Sequence, residues 1–136
     1  IVRARGDRRR RLVGGIRIGV AGRIELAAAA KESMQYLQTQ FTQVKTMAYT
    51  FRLDNRYWAY LQHGQQLATA KELTIENVVD KVGSGDCFMA GLIYGLVNNH
   101  AADSIINFAA TAAVGKLYEK GDATQQTVAQ IQQRLV

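Results

Sequence analysis

Apolar positions along the chain switch period several times, and each switch marks a predicted element. Between residues 23 and 41, good helix formers from Leu26 to Ala30 lead into Met34, Leu37 and Phe41, whose spacing predicts a helix with one apolar face. Val44 to Phe51 is rich in β-formers, and Arg56 to His63 is aromatic with alternation, so both predict strands. The cluster Leu53-Asp54-Asn55 separates them as a turn, and His63-Gly64-Gln65 predicts the next one. Leu67 to Leu73 then returns as a further strand.

After Val78 and Val79 the chain reaches Gly83-Ser84-Gly85, and the pattern becomes helical from about Asp86 to Asn98. Cys87, Ala90, Gly91 and Gly95 make a small-residue face there, with Phe88, Leu92 and Leu96 on another. A second helix is predicted from Asp103 or Ser104 through Ile105, Phe108, Ala109, Ala112, Ala113 and Leu117, ended by Gly121. Thr124 is the expected cap of a last helix through Val128, Ile131 and Leu135. Strands followed by consecutive helices predict an α/β fold class, as the last part of a larger sheet.

The 136 residues fall within the range of one domain, ~100–200 residues. Their 48% hydrophobic and 21% charged content is ordinary for a globular chain. No apolar stretch reaches the ~18–20 residues of a membrane span. No secretory signal pattern is seen near the first residues. Cys87 is the single cysteine, which excludes an internal disulfide framework and a cysteine-based zinc cluster. With only His63 and His100 besides, a structural metal site is not expected, and a reducing cytoplasm is.

The net charge of +6 is unevenly placed. Residues 1–30 hold eight arginines against Asp7 and Glu25, so the whole excess lies there and the rest is neutral. That segment also lacks Lys, Ser, Thr, Asn, Gln and every aromatic residue. It reads either as a basic arm binding nucleic acid through Arg8 to Arg11, or as a junction whose composition was not selected for function. The lack of an aromatic stacking platform favours the second, so nucleic acid is not the expected partner. Residues 1–30 are thus set apart as a leader, and residues 1–20 are expected to add little to the core.

Common nucleotide motifs fail. The chain has no G-x-x-x-x-G-K-[ST] run, and Gly14, Gly15, Gly19 and Gly22 do not satisfy G-x-G-x-x-G. Residues 78–95, VVDKVGSGDCFMAGLIYG, carry the chemistry. A short apolar strand would feed a Gly-Ser-Gly turn whose N–H groups, with the helix dipole, suit a phosphate. A carboxylate at Asp86 repels an anion, which makes it better suited as the base for an attacking hydroxyl. The competing reading is plain N-capping by Ser84 or Asp86.

This stretch resembles the second signature of the ribokinase-like (pfkB) carbohydrate kinases, Asp-Thr-x-Gly-Ala-Gly-Asp followed by an aromatic and an Ala-Gly pair. Here it runs Asp80, Lys81, Val82, Gly83, Ser84, Gly85, Asp86, then Phe88 and Ala90-Gly91. TFRLDN at 50–55 resembles the family's Thr-Leu-Gly strand end, and INFAATAAVGKLYEKGDAT its Ala-rich adenine-side helix. The wording is most similar to the 2-dehydro-3-deoxygluconate kinase branch, over residues 31–136. The resemblance implies the C-terminal part of a ribokinase-like α/β/α fold, strands then three helices. It implies ATP, Mg2+ and a small sugar-acid substrate. Asp86 would be the catalytic base, and Gly83, Ser84 and Gly85 the anion hole. Thr50 and Arg52 would meet nucleotide phosphates, and Asn107 and Ala110 would lie on the adenine side. Asp80 and Val82 would mark a monovalent cation site.

Three positions depart from the family pattern: Lys81 replaces a small Thr or Ser, Arg52 a Gly, and Asp122 an Ala, which puts the cation site in doubt. The family's N-terminal half, with its lid and most sugar contacts, is not recognisable in residues 1–30. The expectation is therefore a C-terminal fragment whose unpaired sheet edges leave a homo-oligomer open. Cys87 and Trp58 are expected to be packing residues, and His63 and His100 turn and helix-end residues.

Overall fold

The computed structural model describes residues 2–6 and 23–135. Its elements run β1 (Val2–Gly6), α1 (Arg23–Gln40), β2 (Thr46–Leu53), β3 (Arg56–His63), β4 (Gln66–Thr69), β5 (Leu73–Thr74), α2 (Ser84–Val97), α3 (Ala102–Lys116) and α4 (Val128–Gln133). The strands form one five-stranded sheet in the order β1-β2-β3-β4, with β5 also paired to β3. β1 lies parallel to β2, and the later pairs are antiparallel.

The β2–β3 hairpin closes over Asp54 and Asn55, with φ of 49° and 58°, and pairs Leu53 with Arg56. Positive φ at both central residues gives the turn the twist of its strands, and Asp and Asn tolerate that conformation best after Gly. Side chains alternate across the sheet from there. Met47, Tyr49, Phe51, Trp58 and Tyr60 face one side, where Leu26, Ala30 and Met34 of α1 cover them. Ala48, Tyr57, Ala59 and Leu61 face the other, under α2 and α3. The layers are α1, sheet, then α2 and α3.

On the α1 side, Phe51 stacks with Tyr49 at 5.0 Å and with Trp58 at 5.2 Å, so Trp58 packs as expected. The buried stripe of α1 is Leu26, Ala30 and Met34 rather than Met34, Leu37 and Phe41. The helix stops at Gln40, and Phe41 beyond it is exposed. The leader boundary expected at residue 30 falls inside this helix. Val2–Gly6 pairs with Met47 to Phe51, whereas Arg8 to Arg11 and the rest of residues 7–22 lie outside the described residues.

Other boundaries shift for local reasons. The returning arm is two short strands: Ala70 N still donates to Ala59 O, residues 71–72 leave the ladder, and pairing with β3 resumes at Leu73. α3 starts at Ala102, earlier than Asp103 or Ser104, and no side chain caps it. α4 is capped by Thr127, not Thr124, through a capping box with Gln130. Thr124 is taken instead by the Glu119 carboxylate, to which it donates at 2.6 Å. Among the described residues no helix is long and apolar enough to cross a membrane.

Leu26→Ala should lower stability by about 2–5 kcal/mol in urea unfolding, as for a filled core position. A loss below 0.5 kcal/mol would mean that α1 does not seal this face. The Tyr49 hydroxyl is buried without a hydrogen-bond partner among the described residues, and burial pushes its pKa up to about 12. Tyr49→Phe removes that unpaired group and should raise stability by about 1 kcal/mol, read as a higher denaturation midpoint.

Candidate active site

The segment before α2 is tied down at several points. Val79 N and Asp80 N donate to Leu117 O at 2.8 and 3.3 Å, just past the end of α3. The Asp80 carboxylate accepts from Val82 N through Oδ1 and from Gly121 N through Oδ2, each at 3.0 Å. The Val82 N–H, and next the Gly121 N–H, hold the Asp80 carboxyl below its ordinary pKa; the Lys116 charge adds to this and burial opposes it.

Gly83 follows at φ 78°, as the N-cap residue of α2. Two constraints demand glycine there. The backbone is left-handed, and a Cβ would run into the carbonyl oxygen of Asp122. Gly83 O accepts the first helical bond, from Cys87 N at 2.9 Å, and no side chain caps the helix. The Ser84 hydroxyl is turned away instead, donating to Ala113 O at 2.9 Å in the interior. Capping by Ser84 is thereby overturned, because its oxygen serves to bolt α2 onto α3. Asp86 is exposed on the first turn, where a carboxylate also favours the helix dipole. The N–H groups of Ser84, Gly85 and Asp86 are the ones that no intrahelical carbonyl can satisfy. The turn expected before this helix is present, but the helix begins at Ser84, earlier than Asp86, and no strand feeds it. Residues 75–81 are irregular, held by single hydrogen bonds to Leu117 O, and the apolar strand expected at Val78 and Val79 is not formed.

An open cleft of about 950 Å³ lies beside this turn. Arg52 and the hairpin tip form one wall, and residues 75–81, including Asp80 and Lys81, form the other. The structure thus brings Arg52 and Lys81, the two cationic departures from the family pattern, to one space. Thr50 lies behind it, 2% exposed in β2 and opposite Ala59. Val82 is 58% exposed, with its N–H spent on Asp80.

Asn107 and Ala110 are not gathered with them. Asn107 accepts from Lys71 N and donates to Asp103 O, both at 2.8 Å, and lines a separate hollow with His100 and Lys71. Ala110 is fully buried in the core against the sheet, one helical turn before the Ala113 carbonyl that holds Ser84.

A smaller cavity of about 190 Å³ adjoins α2 on the other side. Cys87, Ala90, Tyr94, Thr124 and Gln126 are among its lining residues, so it begins one residue after Asp86. Tyr94, Thr124 and Gln126 were not singled out as site residues from the sequence. Nothing in their spacing marks them: Tyr94 stacks on Phe108 at 4.9 Å between α2 and α3, a contact that only the fold makes. Cys87 is buried, and burial pushes its thiol pKa up. His63 Nδ1 meets Thr46 Oγ1 at 2.8 Å across the hairpin, and the His100 ring packs edge-on to Tyr94.

A profile of the pfkB family carbohydrate kinases matches residues 24–128. The chain belongs to this family. Among solved structures it is similar to 2-dehydro-3-deoxygluconokinase from Thermotoga maritima, at 26% identity and TM-score 0.75 over 87% of this chain and 37% of that one. It is also similar to a PfkB family carbohydrate kinase from Listeria grayi, at 20% identity and TM-score 0.71, covering 85% and 39%. A third is the nucleoside kinase of Burkholderia thailandensis in complex with inosine, at 21% identity and TM-score 0.61, covering 83% and 37%. The chain therefore spans well under half the length of these relatives, and the expected ribokinase-like α/β fold is the one they share. No curated protein matches the chain. The alternative of a non-catalytic module with a nucleic-acid-binding arm gains no support from these matches.

Asp80→Asn should lower stability at neutral pH by weakening both clips. Because the folded-state pKa is depressed, the carboxylate's contribution is complete above the ordinary Asp value and is lost as pH falls through the folded one. The gap between wild type and Asp80→Asn in thermal midpoint should accordingly close as pH drops below about 4. A gap of equal size at all pH values would remove charge from this account.

Proposed function

We propose that this chain is the nucleotide and catalytic-base part of an ATP-dependent sugar-acid kinase, similar to 2-dehydro-3-deoxygluconate kinase. The observation that carries it is the glycine-built turn at residues 83–86, with its first N–H groups uncapped and Asp86 exposed beside them. Family membership and the likeness to the Thermotoga maritima enzyme support the same reading.

In this reading the Asp86 carboxylate takes the proton of a substrate hydroxyl as its oxygen attacks the γ-phosphorus of ATP. The bond to the β-phosphate oxygen breaks, and ADP leaves. The N–H groups of residues 84–86 stabilise charge on the transferring phosphoryl group, an effect typically worth ~10²–10³ in rate per donor. Arg52 and Lys81 balance the remaining phosphate charge from the two walls of the cleft, with Thr50 as the strand support behind Arg52. The cavity past Asp86, between Tyr94 and Gln126, would take the adenine, with Asn107 and Ala110 on the helix that backs it. Among the described residues no three His, Cys, Asp or Glu side chains are grouped as metal ligands. Mg2+ would be carried by the nucleotide phosphates, where it would neutralise charge on them. The sugar side is to be supplied by parts of the kinase outside this chain, in the reducing cytoplasm that the lone cysteine suits.

Two measurements test the proposal. Calorimetric titration of the chain with MgATP should give binding that Gly85→Val abolishes and Asp86→Asn leaves intact or slightly tighter. In the complete protein that contains the chain, Asp86→Asn should lower kcat by ~10²–10⁴ with little change in KM for ATP. Sugar-dependent ADP release that survives Asp86→Asn would overturn the role of Asp86.

A further inference from the structure

Gln126 lines the cavity of about 190 Å³ beside α2, and its carboxamide is held from three sides. Nε2 donates to Ala112 O of α3 at 3.1 Å and to Thr124 Oγ1 at 2.9 Å, while Oε1 accepts from the Arg134 guanidinium at the end of α4. A carbonyl can only accept and a guanidinium can only donate, so the orientation of the amide is fixed from both ends. Both Nε2 protons are thereby spent. Oε1 is turned to Arg134 and to Gly115, where a Cβ would run into it, and neither of those residues lines the cavity. The Thr124 hydroxyl is spent as well. It donates to the Glu119 carboxylate and accepts from Gln126 N at 3.1 Å and from Nε2.

Tyr94 and Cys87 carry the remaining hydrogen-bonding side-chain atoms of the lining, since the other side chains there are apolar. A phenol hydroxyl rotates to donate or to accept, and a thiol does either weakly. No side chain of the lining therefore presents a fixed donor or a fixed acceptor. The lining does offer flat apolar surface, for Tyr94 stacks on Phe108 at 4.9 Å, and Gly91 and Ala112 leave the space between the helices open. We infer that this cavity takes a purine by shape and stacking, without reading its hydrogen-bonding edge, so that 6-oxo purine nucleotides bind alongside ATP. Gln126 and Arg134 act as positioning residues, which hold the wall in place with their polar groups bonded to one another and to α3. A site that hydrogen-bonds a substrate group rejects the analogue lacking it by ~10⁴–10⁵, and this lining has no such group to aim.

This inference rests on the kinase reading, and its test separates the two. Inosine triphosphate is the probe, because its ring matches adenine in shape while a 6-oxo group and an N1–H replace the 6-amino group and the bare N1. The chain is titrated by calorimetry with MgATP, MgITP and the magnesium complex of ribose 5-triphosphate, which lacks only the base. MgATP and MgITP should bind within about threefold of each other, less than one directed hydrogen bond is worth, and both more tightly than ribose 5-triphosphate. Tyr94→Ala should weaken MgATP and MgITP alike, by at least about fivefold, as for loss of a stacking ring, and spare ribose 5-triphosphate. A preference for MgATP over MgITP of about tenfold or more would overturn the inference and leave the kinase reading standing. MgATP binding no tighter than ribose 5-triphosphate would also overturn it, since the base would then contribute nothing. Binding of none of the three would take down the kinase reading and the inference together. Should Tyr94→Ala not fold, the wild-type comparison decides by itself.

Discussion

Where Gly83 passes the Asp122 carbonyl there is no room for a side chain, and that contact sets the geometry of everything around it. It joins the chain entering α2 to the chain leaving α3, so the start of one helix is placed by the end of the other. Asp80 reinforces the junction through Gly121 N, and Leu117 O reinforces it through Val79 N and Asp80 N. The turn is thus held by backbone groups more than by side-chain packing. Such an arrangement can present its own unpaired N–H groups to a ligand without reorganising.

The two helices must then run close together. A Cβ on Gly91 would lie 2.7 Å from Ala109 Cα, and one on Gly95 would lie 2.7 Å from Ile105 Cγ1. The small-residue face of α2 is therefore its contact with α3. Ser84 adds a hydrogen bond at the same seam. The paired helices cover the sheet face of Ala48, Ala59 and Leu61, while α1 covers the aromatic face. Because both faces are covered, β2 can carry Arg52 to the sheet end as a fixed support and not as a loose side chain.

Charges in the site are sorted by burial. Arg52 and Lys81 reach the open cleft, Asp86 stands exposed on the first turn, and Asp80 is engaged by N–H groups. Lys116 lies inside. An enclosed positive charge is screened less by solvent than an exposed one. Outward cations alone would be screened by salt.

The run from Asp80 to Asp86 was legible by itself, because glycines at fixed spacing before a small-residue helix leave few backbone solutions. The hairpin was legible for the same reason, since Asp54-Asn55 between two β-rich runs is a local signal. Strand and helix periods likewise follow from neighbours in the chain. What the amino-acid order could not assign was the use of polar side chains whose partners lie far along it. Ser84 has the look of a cap until α3 supplies Ala113, and Thr124 does too until Glu119 claims its hydroxyl. Asn107 and Ala110 share the helix that the family resemblance put on the adenine side, yet packing turned one toward Lys71 and buried the other. Lys116 is the clearest instance. Nothing in its local sequence separates it from a solvated lysine. Its burial arises only when α3 closes on α2 and the loop after it folds back, because burial is a property of the assembled layers and not of any segment.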